Sequence, residues 1–147
     1  MPRTRSTLQD LTRNDWTLIE SKAKRMSIRL GQEIIREGAQ IDHFYILRCG
    51  SASVELEGTT SRSVIAALRA GDVCGEMAFL GDRTATASVV ATDEVELDAI
   101  WADDLRELIA VFPGFGVRFY RSVAVLLAQR LRQTSRELLR EITNKLS

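Results

Sequence analysis

Histidine occurs once, cysteine twice and proline twice in this chain of 147 residues. No apolar run approaches the roughly 18 residues needed to cross a bilayer. Cys49 and Cys74 stand far apart without metal-ligand spacing, so both are expected as reduced thiols, and iron–sulfur chemistry has no ligands. His43 lies in the alternating stretch "IDHFYIL", the setting of a strand residue and not of a metal site. Histidine-dependent hydrolysis and metal-assisted catalysis are therefore poorly supplied. Twenty basic and twenty acidic side chains cancel, which removes any global field drawing the chain to nucleic acid or a membrane. The opening "MPRTRSTLQDL" has two arginines but no apolar segment behind them, so it is not a secretory signal and a cytoplasmic protein is expected.

What is present is enough for one packed core: 45% of residues are hydrophobic, and the length suits a single domain over residues 1–147. Residues 6–24 carry a helical lead-in, with Leu8, Leu11, Trp16, Ile19 and Ala23 near one face and Thr12 or Asn14 as a cap. From residue 26 to about 100 the texture becomes short Ile, Val, Leu and Tyr runs cut by glycines. "HFYILRCGSASVELEG" predicts two strands broken at Gly50, and "SVIAALRAGDVCG" a strand turning at Ala70–Gly71. Such close spacing predicts an antiparallel sandwich or barrel. Residues 102–146 return to helix, interrupted at Pro113–Gly114. Leu127, Leu131, Thr134, Leu138 and Ile142 then form a seam at spacings of four, three, four and four. With no sequence after this helix to cover the seam, a second copy of it is the expected partner. Arg130, Arg132, Arg136 and Arg140 are assigned to the solvated face.

Between the strands lies "GDVCGEMAFLGDRTATASVVA", residues 71–91. Gly75 permits close backbone approach, Glu76 supplies a carboxylate, and a short helix would aim its first amides, around Met77 and Ala78, outward as an anion site. A carboxylate repels phosphate, so Glu76 suits sugar hydroxyls instead. Taken alone, a Gly-Glu pair is equally a helix cap in a tight turn.

The whole order is more specific. "RLGQEIIREGAQIDHFYILRCGSASVEL", then "GDVCGEMAFL", then "ASVVA", then a Pro-Gly hinge and a long amphipathic helix resembles the cyclic nucleotide-binding domain of the catabolite activator protein and cAMP-dependent kinase regulatory subunit superfamily. The resemblance runs from about Leu8 to Glu141. It implies an α+β fold: an antiparallel, jelly-roll-like β-roll of about eight strands, N-terminal helices and a long C-terminal dimerisation helix. It also implies a non-enzymatic receptor module whose ligand is cAMP or cGMP, with no metal, no further cofactor, and Glu76 on the ribose 2′-hydroxyl.

One position departs from the pattern. Family cassettes resembling Gly-Glu-Leu-Ala-Leu place the phosphate-binding arginine after eight residues from the glutamate; here that count reaches Ala85, followed by the fitting Thr86, Ala87 and Ser88. A loop shortened by two residues makes Arg83 the phosphate ligand, at the cost of a deletion and a misplaced strand tail. The ungapped register is preferred, with Arg83 as a substitute that folds back or as a solvated loop charge. Thr134–Ser135 in "RLRQTSREL" is similar to a family segment in which a Thr-Ser pair contacts the base, which inclines the ligand toward cAMP; alternatively Thr134 bonds its own helix backbone. A structural dimerisation domain with a vestigial pocket is the alternative reading. A transcription factor is not expected, because the chain runs out at Ser147 directly after the long helix.

Overall fold

The computed structural model describes residues 7–76, 80 and 83–146. Its elements run α1 (Arg13–Lys22), β1 (Lys24–Ile28), β2 (Glu33–Ile35), β3 (His43–Cys49), β4 (Ser51–Glu57), β5 (Arg62–Arg69), β6 (Val73–Cys74), β7 (Ser88–Ala91), β8 (Val95–Trp101), α2 (Ala102–Val111) and α3 (Pro113–Leu146). The strands form two antiparallel four-stranded sheets, ordered β1-β8-β3-β6 and β2-β7-β4-β5, and with the helices make the expected α+β β-roll.

Strands β8, β3 and β6 of the first sheet are packed on both faces, which explains the unbroken apolar run "FYIL", whereas β1 at the sheet's edge is mostly exposed. Leu47, Val95, Leu97, Ala99 and Cys74 point into the roll, where they meet Ala52, Val89 and Ala91 of the second sheet. Phe44, Ile46, Val73 and Ile100 point the other way and pack against Ile19, Leu105, Phe115, Phe119, Val123 and Leu126 of the three helices. A sheet face and a helix stripe each need an apolar cover, and here each supplies the other's. Asp98 sits on this helix-covered face at 5% exposure. Its two oxygens accept bonds from Arg25 Nε at 2.7 Å and Arg48 Nε at 2.6 Å, so the buried charge is paired on both sides.

Two expectations need correction. The lead-in is not helical over 6–24. Among the described residues a single N-terminal helix, α1, begins after Thr12, whose hydroxyl caps Asp15 N while the Asp15 carboxylate returns to Thr12 N, and Lys24 already opens β1. This reciprocal cap is a strong local start signal that overrides the weaker periodicity before it. The break between α2 and α3 falls at Phe112, and Pro113–Gly114 belongs to the first turn of α3, where a proline's fixed φ and missing N–H cost nothing.

Asp15 is the most constrained acidic group of the helical layer. At 1% exposure it receives Arg118 Nε at 2.6 Å and Nη2 at 2.9 Å. Those bonds hold its carboxyl below the ordinary carboxylate range against the opposing effect of burial. A lowered native pKa contributes stability above the unfolded-state value of about 3.9 and loses it as pH falls through the native value. Asp15→Asn should therefore cost about 1–3 kcal/mol at pH 7, less than for a fully buried pair because Arg118 is 40% exposed. Urea unfolding at pH 7 and at pH 3 checks this: the gap between parent and variant should narrow at the lower pH, and a gap that widens contradicts it.

Candidate functional site: the cassette and the helix across it

The cassette enters from β6. Gly75 has φ +85°, and its Cα lies so close to the His43 carbonyl that an added Cβ would collide with that oxygen. Only glycine turns the chain here while keeping β6 against β3, where Tyr45 pairs with Cys74 and Ile46 with Val73. Glu76 follows directly, its side chain 12% exposed, and Arg130 of α3 holds it. Arg130 Nη1 donates to Glu76 Oε1 at 2.9 Å and Nη2 to the Val73 carbonyl at 2.7 Å. One guanidinium thus ties the long helix to both the strand and the carboxylate.

Arg130, expected on the solvated face, instead points to the cassette. Phe119, Val123 and Leu126 form the body-facing stripe of α3, and continuing their four-three spacing by four residues lands on Arg130. The signal was present in the sequence but masked by the neighbouring arginines. Arg132, Arg136 and Arg140 are exposed.

On the far side of the cassette, the segment 83–85 pairs with 38–41. Ile41 N donates to the Arg83 carbonyl, Ala85 N to the Ala39 carbonyl, and Gly38 N to the Ala85 carbonyl. Ala85 is 4% exposed within the roll's apolar core, whereas Arg83 is exposed. Thr86 is exposed, Ala87 half-buried, and Ser88 buried with its hydroxyl accepting from Glu37 N at 2.9 Å. Met77 and Ala78, the expected phosphate-facing amides, lie outside the described residues. Thr134 and Ser135 are both exposed, and the Thr134 hydroxyl donates to the Arg130 carbonyl at 2.9 Å.

Burial is the main cause that pushes the Cys74 thiol up, with the Glu76 charge adding to it and Arg130 opposing. Tyr45 is raised to about 12, again mainly by burial. The His43 ring lies tilted by 37° against Trp101, 3.8 Å between ring centres, and shares a 2.7 Å contact with Asp42. Among the described residues no three His, Cys, Asp or Glu side chains converge as metal ligands, and no helix is long and apolar enough to cross a membrane.

Beyond the cassette α3 continues alone. Every residue from 131 to 146 is exposed, including Leu131 at 68%, Leu138 at 57% and Ile142 at 46%. The exposed stripe also reaches further back than its sequence pattern suggested. Val117, Tyr120 and Ala124 are exposed on the helix at spacings that continue through Leu127 into the seam.

A two-sheet β-roll with a glycine-led cassette and a helix laid against it defines a ligand-binding module rather than a bundle or an open sheet. The family profile of the cyclic nucleotide-binding domain matches residues 25–111. Cyclic GMP-binding protein C of Dictyostelium discoideum is 32% identical over 126 residues, covering 84% of this chain and 5% of that protein. The cAMP-dependent protein kinase regulatory subunit of Emericella nidulans is 35% identical over 79 residues, 54% of this chain and 19% of that one. Among solved structures, the catabolite activator protein of Thermus thermophilus is 28% identical with a TM-score of 0.76, covering 90% of this chain and 62% of that one. A cyclic nucleotide-binding domain from Methylobacillus flagellatus superposes with a TM-score of 0.83 at 21% identity, over 89% and 74% of the two chains. The chain belongs to the cyclic nucleotide-binding domain family, and it spans a small fraction of the curated relatives it matches.

Gly75→Ala tests the entry to the cassette. The added methyl meets fixed backbone at a positive φ, so the variant should lose on the order of 2 kcal/mol or more in urea unfolding. Parent-like stability would show that the turn does not lock β6 to β3.

Proposed function

We propose that this chain is a cytoplasmic, non-catalytic cyclic nucleotide receptor module, a single domain over residues 1–147 that couples ligand binding to the position of α3 in a dimer. The observation that carries this reading is the Arg130 contact to Glu76 and Val73. A ligand whose ribose hydroxyls take Glu76 must share or displace the guanidinium that anchors α3. Occupancy and helix position then become one equilibrium. Gly75, Glu76, Met77, Ala78, Thr86 and Ala87 are assigned to the ribose-phosphate. Thr134 and Ser135 are assigned to the base, with cAMP favoured over cGMP on the resemblance of that pair.

Ala85 leaves the phosphate without its usual arginine, and the burial of residue 85 beside an exposed residue 83 supports the ungapped register. Arg130 is the cation nearest to hand on the helix side, and Arg83 could reach only by folding back from the surface. Losing a charged contact at a buried site weakens binding by about 30-fold to several thousandfold, so affinity is expected to be micromolar or weaker. Calorimetric titration with cAMP and cGMP should show a large gain for Ala85→Arg and a loss of more than about tenfold for Glu76→Ala. If Ala85→Arg changes nothing while Arg83→Ala abolishes binding, Arg83 is the phosphate ligand and the assignment of residue 85 is wrong.

A dimerisation domain with a vestigial pocket is the second reading, favoured by the packing of Ala85 into apolar core. Binding of neither nucleotide by a stable dimer would select it. Pairing itself rests on the exposed stripe of α3: Leu131→Asp with Leu138→Asp puts unpaired charge at the seam and should yield monomers in sedimentation. A parent already monomeric at high concentration contradicts pairing.

A further inference from the structure

In the folded body arginines are paired. Arg25, Arg48, Arg106, Arg118, Arg121 and Arg130 each meet a carboxylate. Arg132, Arg136 and Arg140, on the part of α3 that runs beyond the cassette, are all exposed and make no ion pair among the described residues. The sequence itself denies them partners. Neither Arg132 nor Arg136 has an acid three or four residues away, and Glu137, three before Arg140, instead accepts from Gln133 Nε2 at 3.4 Å. Like charges one turn apart on a helix repel, so this spacing costs the free chain stability.

The three share one face of the helix. A spacing of four residues starts successive side chains about 6 Å apart along the axis and about 40° apart around it. With Gln129, Gln133 and Glu137 they line a shallow groove of about 420 Å³. This face lies about 160° around the helix from the seam of Leu127, Leu131, Leu138 and Ile142. It is about a quarter turn from Phe119, Val123 and Leu126, which seat α3 on the body. Pairing of the seam with a second copy therefore leaves the arginines open, and so does the contact of Arg130 with the cassette.

We propose that Arg132, Arg136 and Arg140 form a docking face for an acidic helical segment of a partner protein, its carboxylates spaced one turn apart. Charge complementarity and matching period carry the assignment. A helix lying alongside α3 repeats its side chains at about the same 6 Å interval and brings one carboxylate to each guanidinium, whose fork takes it bidentately. Nucleic acid fits this face less well: the chain as a whole is neutral, and Glu137 within the groove repels a continuous line of phosphates. A bilayer also fits less well, since a helix inserted through its leucines would hold these arginines farthest from the headgroups. The docking face is independent of what fills the cassette.

The test is fluorescence anisotropy of the full chain, without nucleotide, against a labelled alanine-rich helical peptide of about 20 residues with glutamate at every fourth position. A second peptide has the same composition with its glutamates spread around the helix. At about 0.15 M salt the parent should bind the first at least about tenfold more tightly than the second. Arg132→Gln, Arg136→Gln and Arg140→Gln together should weaken the first about tenfold or more and erase the preference. Replacing the same three arginines by glutamate should reverse the choice, so that a lysine-faced peptide is bound instead, a gain that misfolding cannot produce. Equal binding of the two glutamate peptides by the parent, or an unchanged preference in the triple glutamine protein, overturns the docking face. Tighter binding of a short DNA duplex, a single-stranded RNA or phosphatidylserine vesicles at the same salt overturns it as well, and assigns the arginines to a polyanion or a membrane.

Discussion

The packing of one continuous helix, α3, on the outer face of the β1-β8-β3-β6 sheet constrains every other part of the site. Phe115, Phe119, Val123 and Leu126 are buried on that face, and one continuous helix of 34 residues has little freedom to choose its later directions independently. Once those four side chains are seated, Arg130 arrives at the cassette and the Leu131–Ile142 stripe faces away from the body. Core, site and exposed seam are three faces of one rigid body. This is why a small displacement at any one of them must be felt at the others.

The sheet beneath performs the complementary task. Because β3 and β6 are packed on both faces, a one-residue slip would send every apolar side chain to the opposite core, where it does not fit its packing partners. That rigidity gives Gly75 its fixed approach to the His43 carbonyl and sets the origin of the cassette. Asp98, a charge on the helix-covered face, is tolerated because Arg25 and Arg48 satisfy its two oxygens from neighbouring strands. The polar bonds of the interior thus sit at joints between elements: Asp98 between strands, Asp15 between helices, Glu76 between strand and helix.

The cassette is unusual in where it carries charge. An inward residue at 85 would meet a ligand in the roll, and it is an alanine packed among Ile41, Cys74 and Val89. The guanidinium that touches the cassette comes from the helix instead. A cation on a strand loop acts from a fixed wall, whereas one on α3 acts from the element whose position is in question. In the proposed receptor, affinity and conformation are therefore more tightly bound together than in a cassette with its own arginine.

Strand runs, glycine turns and the order of lead-in, roll and long helix were legible because they rest on local chemistry. Alternation, positive-φ turns and apolar periodicity act over a few residues, and the two strands around Gly50 and an antiparallel sandwich or barrel followed from them, while the eight-strand roll and the role of Gly75–Glu76 were implied by the family resemblance. Thr12 was one of the two caps named for α1 and is the one used, but the helical extent over 6–24 was too long, since a capping box competes with periodicity and only the folded chain shows which prevails. Arg130 was missed for a different reason. Its side chain resembles Arg132, Arg136 and Arg140 in every local respect, and what separates it is the direction in which Phe119, Val123 and Leu126 turn the helix. The sequence by itself determined the elements, the cassette and the absence of arginine at 85. The tertiary structure decided which arginine meets Glu76 and which residue of the loop faces inward, because both depend on how rigid elements are oriented across long stretches of chain.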